Sequence, residues 1–158
     1  MAKEQKTNAM RIVESAKIEY QVMCYDVSDE NYDGVHAALL MGLNPETVFK
    51  TLVLKGDKTG YLVCCIPVSE ELDLKKVARA SGNKSVEMLP VKELLPLTGY
   101  VRGGCSPVGM KKPFPTYIDE TAQLADKIGV SAGVRGQQML LNPDALRDLI
   151  GGEYADLI

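Results

Sequence analysis

Histidine, tryptophan and positive charge are what this chain has least of. There is one histidine, His36, and no tryptophan among 158 residues. A single histidine excludes a Ser-His-Asp or Cys-His site unless His36 itself serves. Its run, Val35-His36-Ala37-Ala38-Leu39-Leu40-Met41, reads as a helix that carries the imidazole at or near the surface. The four cysteines, Cys24, Cys64, Cys65 and Cys105, have no C-x-x-C spacing. With one histidine they make no zinc ligand set, so no metal and no cofactor are expected. Vicinal Cys64-Cys65 inside an apolar run reads as a pair of buried, reduced thiols in a cytoplasmic protein. No apolar run approaches the roughly 20 residues of a membrane span. Met1 to Ser15 lacks the continuous apolar stretch of a secretory signal. A basic excess is missing too: 18 Lys and Arg stand against 21 Asp and Glu, a net charge of −3. That removes a global field for nucleic acid and argues against DNA binding, while leaving room for a small basic patch.

What is present suits one domain over 1–158, with one core. Thr7 to Ala16 reads as a first helix with Thr7 or Asn8 as cap and Met10, Ile12, Val13 and Ala16 as its apolar side. Tyr20 to Tyr25 reads as a strand, and Asp26 to Asp33 as an acidic loop whose last residue caps the His36 helix. Gly42 ends that helix and Asn44-Pro45-Glu46 turns the chain. Lys55 to Gly60 is a hairpin turn between the run from Val48 and the strand Tyr61 to Val68. Leu72 to Ala80 is a helix with Leu74, Val77 and Ala78 inward, ended by Gly82. Ser85 to Met88 is a short strand, and Val91 to Leu95 a short helix ended by Pro96 and Gly99. Pro115 to Asp119 is a strand, Thr121 to Asp126 a short helix, and Gln137 to Leu141 a strand. Asn142-Pro143 opens the last helix, to Ile150. No regular βαβ period emerges, which favours a mixed α/β fold: a small mixed sheet or barrel surrounded by helices.

Two stretches carry chemistry. Gly103-Gly104-Cys105-Ser106-Pro107-Val108-Gly109 holds three glycines, a serine and a proline in seven residues. Such a loop permits positive φ and close approach of backbone N–H groups to a ligand. The run Val48 to Lys55 is a strand whose alternation puts Val48, Lys50, Leu52 and Leu54 on one face. Phe49, Thr51, Val53 and Lys55 occupy the other. Both faces are mostly apolar, so both are covered, and Lys50 either snorkels to water or points into a polar cavity beside the glycine loop. A further special turn is Gly133-Val134-Arg135-Gly136.

The order and spacing of several segments resemble the YbaK/EbsC family, the editing domain associated with prolyl-tRNA synthetase. These are Gly42-Leu43-Asn44-Pro45, Val48-Phe49-Lys50-Thr51-Leu52 and Leu72-Asp73-Leu74-Lys75-Lys76-Val77-Ala78. Thr98-Gly99-Tyr100, Gly103 to Gly109 and Ser131-Ala132-Gly133-Val134-Arg135-Gly136 follow in order. The resemblance implies a mixed β-barrel among helices. It implies removal of a wrong amino acid from mischarged tRNA: cysteine on proline tRNA foremost, or another small residue such as alanine. It implies prolyl-tRNA synthetase as a possible partner. Lys50 matches the family's key lysine, Tyr25 an active-site tyrosine, and Gly104, Ser106 and Gly109 the substrate loop. Lys50, Tyr25, Gly104 and Ser106 are therefore the expected catalytic group, and Thr51, Gly103, Gly109, Ser131, Arg135 and Gln138 the expected substrate-binding group. Tyr25 either positions substrate or is a core tyrosine, and Arg135 either meets a phosphate or lies in a surface turn. The family's cysteinyl-tRNA deacylases often have aspartate where this chain has Gln138. That departure keeps open a module that binds tRNA or synthetase without turnover. Cys105 replaces a usual aliphatic residue and reads as a small hydrophobe.

Overall fold

The computed structural model describes residues 6–27 and 33–158. The part of the expected acidic loop from 28 to 32 lies outside the described residues. Helix α1 (Asn8–Ser15) starts where Thr7 accepts the N–H of Met10 through its hydroxyl. It buries Ala9, Met10 and Val13. Ala16, expected on the apolar side, is instead the exposed C-cap, because the helix ends one residue short of the next inward position. Strand β1 (Tyr20–Cys24) leads to α2 (Gly34–Leu40), capped by Asp33. Strands β2 (Phe49–Gly56) and β3 (Gly60–Pro67) form the expected hairpin, with the side chain of Asn83 accepting the turn N–H groups of Lys58 and Thr59.

Helix α3 (Leu74–Ser81) is capped by Asp73 and stopped by Gly82 in the left-handed region. Leu74, expected inward, is 41% exposed, since it lies in the first turn ahead of the buried Val77 and Ala78. After β4 (Val86–Met88), helix α4 (Val91–Thr98) runs through Pro96 and stops at Gly99, so of the two expected stops the glycine ends it and the proline does not. Gly99 donates its N–H to Leu95 O and Thr98 its hydroxyl to Leu94 O, so the turn around the proline keeps its other bonds. Strand β5 (Thr116–Asp119) runs into the expected short helix, which is a 3-10 helix over Glu120–Leu124 and not Thr121 to Asp126. The Asp119 side chain closes that turn tightly by accepting both the N–H and the hydroxyl of Thr121. Strands β6 (Ile128–Ser131) and β7 (Gln137–Leu141) lead to α5 (Pro143–Ile150), capped by Asn142, and to a short β8 (Glu153–Ala155).

The strands make two sheets, ordered β1-β7-β6 and β4-β2-β3-β5-β8. The first is antiparallel; the second is mixed, with β3–β5 and β5–β8 parallel. A parallel bridge between Val48 and Gly129 joins the sheets, with Gly129 donating its N–H to Thr47 O at 2.8 Å. One buried cluster draws on both sheets: Phe49, Val53, Val63, Cys65, Ile118, Ile128, Val130, Met139 and Leu141, with Met10 and Val13 of α1 and Leu146 of α5. The opposite face of β2 and β3 buries Leu54, Leu62, Cys64 and Ile66 against Val77 and Leu157. Both faces of β2 are thus covered, as its two apolar faces require. This is the expected mixed α/β arrangement of sheets flanked by helices.

Candidate active site along an open strand edge

Strand β2 is paired with β3 along its whole length, from Phe49–Pro67 to Gly56–Gly60. Its other edge is not. Strand β4 pairs only with Leu54, Lys55 and Gly56, and the bridge to β6 stands at Val48. The segment between these two contacts faces a cavity of about 530 Å³. Five consecutive residues, Phe49, Lys50, Thr51, Leu52 and Val53, line it. Side chains alternate between faces, so five in a row mean that the cavity opens along the edge.

Backbone direction follows from the bonds at either end. Thr47 O accepts from Gly129 and Val53 O from Leu89, both on the open side, while Val48 O accepts from Val68 on the β3 side. In a strand the N–H and C=O of one residue point to the same side. Odd-numbered residues here turn toward the opening, so Thr51 presents its N–H and C=O to the cavity. Its hydroxyl lies the other way, 3.8 Å from the Cys65 sulfur. Lys50 is half-buried and lies on the face that α2 covers at Val48, through Ala38.

The walls come from distant parts of the chain. Met88, Leu89, Val91 and Leu94 of the β4–α4 region form an apolar side, and Asp33, Gly34 and Ala37 place the start of α2 at another. Arg102, Gly103 and Cys105 contribute one end of the glycine loop, and Ser131, Arg135 and Gln138 the β6–β7 hairpin. Tyr25 also lines the cavity, its N–H donated to Gly136 O at 2.9 Å. The described lining holds three cations, Lys50, Arg102 and Arg135, against the one carboxylate of Asp33. Among the described lining residues positive charge thus exceeds negative, in a chain of net charge −3, and low-dielectric walls focus the field of such a concavity.

Seven expected site residues, Tyr25, Lys50, Thr51, Gly103, Ser131, Arg135 and Gln138, meet in this cavity. Gly104, Ser106 and Gly109 are placed behind it. The N–H of Gly104 is donated to Val101 O, and a Cβ there would meet the backbone of Val134 and Arg135 at 3.0–3.2 Å. Gly104 thus sets how closely the two special loops approach each other. Ser106 is fully buried and its hydroxyl accepts the Val108 N–H, which closes the loop on itself. Gly109, at φ +82°, faces Tyr100 and α1: its Cβ would lie 2.9 Å from the Tyr100 hydroxyl oxygen. That hydroxyl donates to Val108 O. Cys105 is buried beside Cys65, and loss of solvation pushes its thiol up to about 12, the state of a small hydrophobe rather than a nucleophile. His36 is absent from the lining.

Sequence reasoning missed Arg102 and the apolar side from Met88 to Leu94. Arg102 had one local signal, its position directly before Gly103. The α4 residues had none, because their apolar spacing is that of any packed helix.

The aminoacyl-tRNA editing domain model matches residues 31–149. A protein of Enterococcus faecalis named as Cys-tRNA(Pro)/Cys-tRNA(Cys) deacylase EbsC is 51% identical over 98% of this chain and 94% of its own length. A proline–tRNA ligase of Thermosipho melanesiensis is 25% identical over 89% of this chain, a stretch that is 26% of that longer protein. Among solved structures, one described as a trans-editing enzyme for prolyl tRNA synthetase superposes with a TM-score of 0.82 at 26% identity, covering 96% of this chain and 97% of that one. With most of its length inside that domain model and a relative of nearly equal length sharing half its residues, the chain belongs to the aminoacyl-tRNA editing domain family.

Proposed function

We propose that this protein is a trans-editing deacylase that removes a mischarged amino acid from tRNA, cysteine from proline tRNA first among them. The observation that carries this reading is the cavity itself. It opens along an unpaired strand edge, holds a lysine and two arginines, and lies within the 300–1,000 Å³ range of small-ligand sites. An aminoacylated 3′ end has matching parts: phosphates for the cations, a flat base for the apolar α4 side, and an ester for the strand edge.

Ester cleavage places negative charge on the carbonyl oxygen, and fixed backbone donors stabilise that charge without reorganising. Gly104 has already donated its N–H to Val101. The Thr51 N–H, held rigid by the β2–β3 ladder and adjacent to Lys50, is the donor best placed by backbone direction. Lys50 supports the same oxyanion or the terminal phosphate, and Tyr25 and Ser131 orient the aminoacyl group. No histidine base lines the cavity. A cysteinyl ester supplies its own nucleophile: its sulfur bonds to the carbonyl carbon, the ester C–O bond breaks, and the thiol proton passes to the departing ribose oxygen. The product is a thiolactone, and proximity drives its closure. With a net charge of −3 the isolated protein binds tRNA weakly, so prolyl-tRNA synthetase is the partner that would present it. The whole chain acts as one editing domain in the cytoplasm.

The test is a deacylation panel with purified protein and cysteinyl-, alanyl-, seryl- and prolyl-tRNA. Release of cysteine from proline tRNA is expected, with prolyl-tRNA spared. Release of alanine alone would move the assignment to another small amino acid, and release of none would refute catalysis.

A further inference from the structure

Gln138 lies in β7, with Ser131 of β6 opposite on one side and Met23 of β1 on the other. It is 8% exposed and lines the cavity. Its Oε1 is buried and has no hydrogen-bond partner among the described residues. Buried side-chain acceptors are nearly always satisfied in native proteins, so one that is not asks what it meets in use. No donor of the described residues reaches it. A Cβ built on Gly129 would lie 3.5 Å from Oε1, with Leu140 and Val48 as its other neighbours, and the Gly129 N–H is committed to Thr47 O. A donor can reach it from the cavity, which Gln138 lines. Glutamine's terminal torsion is broad and roughly two-fold, so the amide can turn its oxygen to that side.

The cavity also has an inner and an outer end. Arg102 is exposed and Arg135 half-buried, whereas Ser131, Cys105 and Gln138 are buried. Phosphates belong with the outer arginines, so the small aminoacyl group reaches inward. An aminoacyl ester's carbonyl and ester oxygens only accept hydrogen bonds, and a thiol donates weakly. The α-amino group is the strong donor that an inner acceptor can take. We infer that Gln138 is a specificity residue whose amide oxygen accepts a hydrogen bond from the α-amino group of the aminoacyl ester, a role that rests on the deacylase reading above.

The experiment compares two esters on the same proline tRNA: cysteinyl, and 3-mercaptopropionyl, which keeps the thiol and lacks the amine. A site built to hydrogen-bond an N–H rejects the analogue without it, so wild type should prefer cysteinyl by at least about tenfold in kcat/KM. Gln138→Met keeps the bulk and removes the acceptor. It should lower the cysteinyl rate alone and bring the two esters within about threefold of each other. Its apo melting temperature should hold or rise, because an unpaired buried amide has been removed. Equal loss on both esters, with a lower melting temperature, would make Gln138 a structural amide and overturn the inference. So would wild type that does not distinguish the esters, or a variant that keeps the wild-type preference. Wild type that cleaves neither ester would instead bring down the deacylase reading and this inference with it.

Discussion

Lys50 is the residue on which the proposed deacylase site turns. It stands mid-strand opposite Ile66, with Leu52 and Leu54 on its own face, and it lines the cavity. A solvated strand lysine would be replaceable with little effect. A lysine that holds a phosphate or a developing oxyanion is not. Lys50→Ala should lower kcat/KM about 10²-fold or more, which is ~3 kcal/mol of transition-state stabilisation. Circular dichroism and the melting curve should remain those of wild type. Lys50→Arg should not restore the rate, because the guanidinium is larger and planar. Wild-type rates in Lys50→Ala would remove Lys50 from the mechanism.

At the scale of elements, the two glycine-containing loops brace each other, and their glycines fail in different ways when substituted. Gly109 sits at φ +82°, and its missing side chain leaves room for the Tyr100 hydroxyl, which ties the loop at Val108. Gly109→Ala should cost about 1–3 kcal/mol of stability through backbone strain and the displaced tyrosine. A urea titration would read this directly. Gly104 has ordinary backbone angles, but a Cβ there would press on the Arg135 backbone at 3.0 Å. Gly104→Ala should therefore move Arg135 relative to the cavity, raising KM more than it lowers stability. Equal behaviour of the two variants would contradict the division of labour between strain and spacing.

Across the whole molecule, the cysteines report how dry the core is. Cys65 and Cys105 are buried, and loss of solvation raises both thiols from 9.0 to about 12, while Cys64 rises as well. These groups hold their protons more tightly folded than unfolded. Their contribution to stability is intact below about pH 9 and is lost as pH climbs from there toward about 12, at ~1.4 kcal/mol per pH unit for each thiol. Urea midpoints should fall steeply above pH 9, and less steeply in Cys105→Ala. An aromatic disulfide reagent at neutral pH should label half-buried Cys24 first and the other three only on unfolding. A flat alkaline profile would mean that water reaches the core thiols.

What the sequence determined on its own was local. Thr7, Asp33 and Asn142 start their helices because a short side-chain acceptor reaches an N–H two or three residues on. The turn between Gly56 and Gly60 and the two apolar faces of β2 were equally legible, since they depend on neighbours one to four positions away. Lys50, Arg135 and Gln138 were expected at one site from the resemblance in motif order, and all three line the cavity. Only the tertiary structure decided which edge of β2 stays open, since that depends on β4 pairing no further than Leu54 and β6 bridging only at Val48. It also turned Ser106 inward, set Gly109 against Tyr100, and drew Arg102 and α4 into the lining. Strand β8, three residues long, takes its pairing from β5 more than thirty positions earlier and carries almost no signal of its own. Local rules reach a few residues along the chain, whereas a cavity wall is assembled from segments that meet only after the core has closed.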